Sequence, residues 1–310
     1  MKSSTIDWVF LSYSEPNADS NFEHLLSLVP TAQRIHGVKG FDAAHKAAAN
    51  ASTTDYFVLV DGDTRLNDST FLNINFDFAF KFKGKTLSFN SVNSVNGLVY
   101  GNGGLKIWNR DNILQMRTHE NGVDVENAVE FCFNNWYIQS PHCFSTTIIN
   151  STPFQAFAAG FREGVKLSLN RGRKPSSLSE CWPPNIIKLK TWMSVGSHTE
   201  NGVYSILGSR LALSKLRTMS DITCVSDFDY LISEFNAVVS SIDSLGVTPQ
   251  SYCDKHLAPI LLKDWNVSVP ILKPVESGFV VENFSKRTLF EPKRTNLTER
   301  EYQSMSGYFE

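Results

Sequence analysis

The stretch Gly40-Phe41-Asp42-Ala43-Ala44-His45-Lys46-Ala47-Ala48-Ala49-Asn50-Ala51-Ser52-Thr53-Thr54-Asp55-Tyr56-Phe57-Val58-Leu59-Val60-Asp61-Gly62-Asp63 decides how this chain folds. Phe41, Ala44, Ala48 and Ala51 recur at helical spacing and the alanines favour a helix intrinsically, so residues 41–51 are predicted helical. Residues 56–60 are apolar without alternation, as in a central parallel strand covered on both faces, and the run stops at Asp61-Gly62-Asp63. Toward the N-terminus, residues 32–38 read as a strand, residues 21–29 as a helix with Phe22, Leu25, Leu26 and Val29 on one face, and residues 6–13 as a buried strand. This β-α-β-α-β order predicts a parallel sheet with right-handed crossovers. In such sheets ligands collect beyond the carboxyl ends of the strands, where Asp61 and Asp63 stand.

Farther along, strands are expected at residues 86–90, 98–100, 105–108 and 144–149, broken by Gly and Asn, which suits a mixed sheet. Thr152 followed by Pro153 marks a helix start, and Phe154, Phe157, Ala158, Phe161 and Val165 form its apolar stripe. Residues 170–184 are basic, polar and Pro-bearing and read as an exposed loop. Two more helices are expected near residues 227–241 and 252–263, ahead of a Pro-punctuated tail from Val269 whose charges suggest a solvated surface. No internal repeat is present.

The 310 residues include 42% hydrophobic side chains and 22 Phe, too apolar for a disordered chain and too interrupted for a membrane protein. With 29 Lys and Arg against 31 Asp and Glu, no global positive field recruits nucleic acid or anionic lipid, so such a partner needs a local patch. The five Cys are scattered, with no C-x-x-C pair, which argues against a disulfide framework or a Cys-rich zinc site. The apolar run Trp8-Val9-Phe10-Leu11 is too short for a signal core or membrane anchor, and a cytoplasmic protein is expected.

Two carboxylates one residue apart suit a divalent cation with oxygen ligands, and Asp61 and Asp63 follow a buried strand, where without a counterion they repel each other and raise a pKa. We read them as a metal site for Mn2+ or Mg2+, with a plain turn as the alternative. The second copy, Asp227-Phe228-Asp229, opens a predicted helix, where carboxylates meet the positive end of the dipole, and reads as a cap. Glu163 projects from the apolar stripe of its helix between Arg162 and Lys166. Either that face lines a cleft, with Glu163 as base and the cations holding phosphate or an anionic acceptor, or Glu163 and Lys166 are a surface pair. Between residues 162 and 190 the cations Arg162, Lys166, Arg171, Arg173, Lys174, Lys188 and Lys190 face only Glu163 and Glu180, which is either a phosphate-contacting patch or a charged surface loop. Gly101, Gly103 and Gly104 permit close approach to a ligand or only a tight turn.

The quoted stretch resembles the donor half of GT-A glycosyltransferases, in which an Ala-rich helix precedes an apolar strand ending in a metal-binding Asp-x-Asp. It also resembles glycosyltransferase-like proteins of large tailed phages. Tyr100-Gly101-Asn102-Gly103-Gly104-Leu105-Lys106-Ile107-Trp108-Asn109-Arg110-Asp111 is similar to the Gly-rich segment, strand and helix start that line the sugar pocket of that fold. Both matches fall within about the first third of the chain and leave the C-terminal third unmatched. The resemblance implies a GT-A, Rossmann-like α/β fold with a mixed, mostly parallel sheet flanked by helices and a C-terminal helical extension. The expected parts are a nucleotide-sugar half at 1–110, an acceptor half at 111–215 and the extension at 216–310. It further implies that Ser12, Tyr13 and Ser14 contact the nucleotide, with Tyr13 stacking on the base unless it belongs to the rim, and that Arg34 and Lys39 meet phosphate or base. Asn102, with Gly103 and Gly104, is expected at the sugar, and His198 in its polar loop as a further metal ligand unless it is a surface histidine.

The function expected is transfer of a hexose or pentose from a nucleoside-diphosphate sugar, UDP-sugar first, to a hydroxyl acceptor. The phage resemblance raises a hydroxymethylated base in double-stranded DNA, reached in a groove or flipped from the stack; a saccharide, lipid or protein acceptor stays open. The rivals are a sugar-phosphate nucleotidyltransferase, disfavoured because Ser12-Tyr13-Ser14-Glu15-Pro16 stands where a Gly-rich phosphate loop is needed, and a non-catalytic binding protein of the same fold. Oligomeric state is not legible.

Overall fold

A computed structural model describes residues 2–79, 81–101, 104–116 and 137–284. The opening order is β1 (Asp7–Ser12), α1 (Ala18–Leu28), β2 (Gln33–His36), α2 (Phe41–Ala51) and β3 (Tyr56–Asp61). β1 pairs in parallel with both β2 and β3, as the alternation of strand and helix signals predicts. α1 and α2 lie on opposite faces: Leu25 and Val29 join Trp8, Phe10, Val58 and Val60, whereas Ala48 and Ala49 join Val9, Phe57 and Leu59. Burial on both sides explains the unbroken apolar run of β3.

The sheet continues through β4 (Thr64–Leu66), β5 (Thr86–Asn93), β6 (Val99–Tyr100), β7 (Leu105–Asn109) and β8 (Tyr137–Thr147), with a short helix α3 (Arg110–Gln115) after β7. Its order is β2-β1-β3-β7-β5-β8-β4, with β6 on β5. β1, β2, β3, β5 and β8 run one way and β4, β6 and β7 the other, a mixed, mostly parallel sheet flanked by helices. This is the fold class expected. Because the chain leaves β1 toward β2 and returns across it to β3, the strand order reverses between the carboxyl ends of β1 and β3, where open α/β sheets bind ligands. Much of the phenylalanine is used below this region, where Phe71, Phe76, Phe78, Phe82 and Phe89 pack against one face.

A helical layer comes next: α4 (Pro153–Leu167), α5 (Pro183–Trp192), α6 (Gly202–Lys215), α7 (Phe228–Leu245), α8 (Pro249–Tyr252), a π-turn at Cys253–Leu257, α9 (Ala258–Trp265) and α10 (Pro274–Phe284). The Thr152 hydroxyl caps α4 by accepting from the Gln155 amide, as its sequence predicts. Two expectations are corrected. The loop expected over residues 170–184 holds a tight Asn170–Arg173 turn and a one-turn helix at Leu178–Glu180 capped by Ser177, and its last prolines start α5, where a missing N–H is harmless. The start of the tail expected from Val269 instead forms α10, held by buried Ser277 and by Val281 against Gly97, while its charged part beyond residue 284 lies outside the described residues. α6 lies against α4 so closely that a Cβ on Gly160 would come within 2.0 Å of the Ser205 carbonyl oxygen. Among the described residues no helix is long and apolar enough to cross a membrane.

Candidate functional site

The turn after β3 is held from several sides. The Asp61 N–H donates to the Gly104 carbonyl (2.9 Å), the Ile148 N–H to the Asp63 carbonyl (2.7 Å), and the Asn21 side-chain amide to the Gly62 carbonyl (2.9 Å). A side chain on Gly62 would meet the Glu15 carboxylate at 2.6 Å, so glycine there lets the loop after β1 close onto the turn. Glu15 in turn accepts from the Tyr13 N–H (2.8 Å). Three carboxylates, Glu15, Asp61 and Asp63, therefore share the point at which the strand order reverses.

Their fields are strong. Burial raises the Asp61 carboxyl to about 6, with Lys106 and Arg162 opposing and Glu15 adding. Burial, then the charges of Asp61 and Glu15, raise Asp63 to about 7, against the Thr64 hydroxyl (3.2 Å) and Arg162. The compensating cation is Lys106, inside β7 at 2% exposure, whose pKa is lowered by burial and raised again by Asp61. Across from the acids, α4 presents Arg162, Glu163 and Lys166. Arg162 lies over the Phe41 ring at the start of α2 (5.5 Å). Glu163 accepts from the Tyr100 hydroxyl (2.7 Å) and from Lys166 (3.0 Å), while the Trp192 indole N–H donates to the same hydroxyl (3.1 Å). Burial pushes the Glu163 carboxyl up, but Lys166, Tyr100 and Arg162 together outweigh it and hold it below the usual carboxylate range. A depressed carboxyl with both oxygens engaged is a weak base, which favours a holding role over proton acceptance.

The other expected residues are spread around this turn and beyond it. The Ser12 hydroxyl is buried and lies between Arg34 Nε, which donates to it (3.0 Å), and His36 Nδ1 (2.9 Å). Arg34 also approaches His36 Nδ1 (3.4 Å) and can only donate, so that nitrogen is an acceptor and the ring proton sits on Nε2. Arg34 pairs with Asp19 (2.7 Å). Tyr13 and Ser14 are exposed, and Lys39 lies 3.5 Å from Asp229. Gly104 is buried, and its missing side chain makes room for the Thr64 hydroxyl. Asn102 and Gly103 lie outside the described residues. Arg171 and Arg173 are exposed just beyond α4, while Lys188 is buried over the Tyr100 ring (5.0 Å).

The His198 loop is held by Ser197, which donates to the Leu272 carbonyl, and by Asn150, which donates to that of Glu200, and the His198 Nδ1 is buried without a hydrogen-bond partner. Among the described residues no three His, Cys, Asp or Glu side chains are gathered as a ready-made metal cluster. The second Asp-x-Asp is a cap, the Asp227 side chain accepting from the Asp229 N–H (2.8 Å). Sequence reasoning missed Glu15, Lys106 and His36. Lys106 left a signal, a lone lysine inside the apolar run Leu105-Lys106-Ile107-Trp108, which requires an acid partner if that strand is central.

No protein-family model matches the chain, and no curated protein matches it. A solved structure described as a glycosyltransferase involved in the glycosylation of the major capsid of PBCV-1 is similar over 43% of this chain and 81% of that one. The two share 15% sequence identity, with a TM-score of 0.28. A likeness this distant does not reach the chemistry, which is set by the side chains gathered after β3.

Proposed function

We propose that this chain transfers a glycosyl group from a nucleoside-diphosphate sugar to a hydroxyl acceptor, with the diphosphate at the carboxyl ends of β1 and β3. One observation carries the reading. Asp61 and Asp63 are raised to about 6 and about 7 and feel the charges of Lys106 and Arg162, so hard oxygen donors and cations meet at one strand end. The donor set fits Mn2+ or Mg2+, which take one or two carboxylates and complete their shell with water and substrate phosphate. A cation held by Asp61 and Asp63 supplies charge neutralisation on the departing diphosphate. Arg162 and Lys166 add fixed positive charge on the opposite wall, where it costs no reorganisation during reaction. Glu163, itself held by the Tyr100 hydroxyl, fixes the Lys166 ammonium one turn along α4. The hydroxyl acceptor enters from the α4 side, beyond which Arg171 and Arg173 stand exposed; this supports duplex DNA as the first acceptor to try.

The test is donor hydrolysis and transfer by the full chain with UDP-sugars and Mn2+, with and without a duplex carrying hydroxymethylated bases. Turnover is expected only with metal, and Asp61→Ala or Asp63→Ala should lower it at least ~100-fold. Equal activity in wild type and both variants would remove the metal assignment, and transfer insensitive to salt would count against DNA.

A further inference from the structure

The second Asp-x-Asp carries more than a cap. Phe228 occupies the first position of α7, and its ring is wedged between two others, 5.6 Å from Tyr13 at 63° and 6.1 Å from Phe154 of α4. Tyr13 directly follows β1 and is 36% exposed at the strand-order reversal. Beside this contact Asp229 meets Lys39. The first turn of α7 is thus a part of the C-terminal helices that reaches the nucleotide end of the cleft. An exposed tyrosine on a strand-end loop has rotamer freedom, and an edge-on ring that is itself fixed against Phe154 removes it.

We propose that Phe228 is a positioning residue for the donor, holding the Tyr13 ring in the plane on which a nucleobase stacks, so that the C-terminal helices take part in base recognition. The inference rests on the nucleotide-sugar reading and deepens it. Because Asp61 and Asp63 serve the phosphates and Tyr13 the base, removing the Phe228 ring should weaken only ligands that carry a base.

Titration calorimetry of the full chain with Mn2+, using UDP and inorganic pyrophosphate as separate probes, tests this. Phe228→Ala should bind UDP about three- to ten-fold more weakly, the range of one aromatic pair, and pyrophosphate as wild type does. Phe228→Tyr, which keeps the ring, should restore UDP affinity. Unchanged UDP binding by Phe228→Ala, or an equal loss for both probes, overturns the positioning role while the site stands. Wild-type protein that binds neither probe overturns the site, and the inference with it.

Discussion

At the scale of single residues, Asp61 and Asp63 differ in a way their sequence symmetry hides. Asp61 compensates Lys106, which is almost wholly buried, whereas Asp63 feels chiefly burial and two neighbouring carboxylates. Both carboxyls are raised, Asp61 to about 6 and Asp63 to about 7, so a neutral Asn at either position should stabilise the metal-free protein at pH 8, and by less at Asp61, where it also removes an acid that offsets the buried Lys106 charge. The larger effect is expected from Asp63→Asn. Its carboxyl is raised from the ordinary 3.8 to about 7, so the folded state keeps a proton that the unfolded chain has already released. The stabilisation from that proton is complete below pH 3.8 and is lost as pH rises toward 7. Melting curves should therefore coincide near pH 3.5 and diverge above it, with Asp63→Asn melting at least ~2 °C higher at pH 8. Added Mn2+ should raise the wild-type midpoint and leave that variant unmoved, because only a carboxylate pair binds it. A wild type that melts higher than Asp63→Asn at pH 8 without metal would show that the raised pKa is not present.

Among the elements, those with a period were legible and those without one were not. α2 begins and ends where its alanine spacing places it, and β3 was evident from its unbroken apolar run. α6 escaped because it is buried nearly all round: Ser205, Ile206, Leu207, Gly208, Ser209, Arg210 and Leu211 are all covered, so there is no polar face to set a period. Those small residues have a packing purpose. Gly160 of α4 faces the Ser205 carbonyl, and Gly208 of α6 faces that of Phe157, so the two backbones nearly touch. Gly160→Ala should drive them apart, costing about 1–3 kcal/mol, and would shift Arg162 and Glu163 on the same turn of α4. Gly278→Ala in α10, where the added carbon meets nothing within 4 Å, is the control and should hold or slightly raise the midpoint. Equal melting of the two variants would argue against the close α4–α6 contact.

For the molecule as a whole, the site is built by closure of distant segments, which explains why its acid pair was readable and its surroundings were not. Asp61 and Asp63 are adjacent in sequence, whereas Glu15, Lys106 and Tyr100 reach the cleft only once the β1 loop, β7 and β6 are in place. The helical layer behind α4 depends on one equally nonlocal residue. Arg210, in the middle of α6, has no exposed surface. Its guanidinium donates to the carbonyls of Met193 after α5 (2.9 Å), Cys253 in the π-turn (3.4 Å) and Val269 ahead of α10 (2.7 Å), and it lies 3.6 Å from Asp254. The planar fork suits this divergent set of acceptors, and a lysine offers only a point charge. Arg210→Ala strands three carbonyls and opens a cavity, and should cost about 3–5 kcal/mol; Arg210→Lys should recover only part of it. Because those acceptors lie in the helical layer, hydrogen exchange should quicken first at the end of α5 and from the π-turn to α10, while β1 and β3 keep their protection. Uniform loss of protection across the sheet and the helices would mean that Arg210 supports the whole fold rather than tying the C-terminal helices to it.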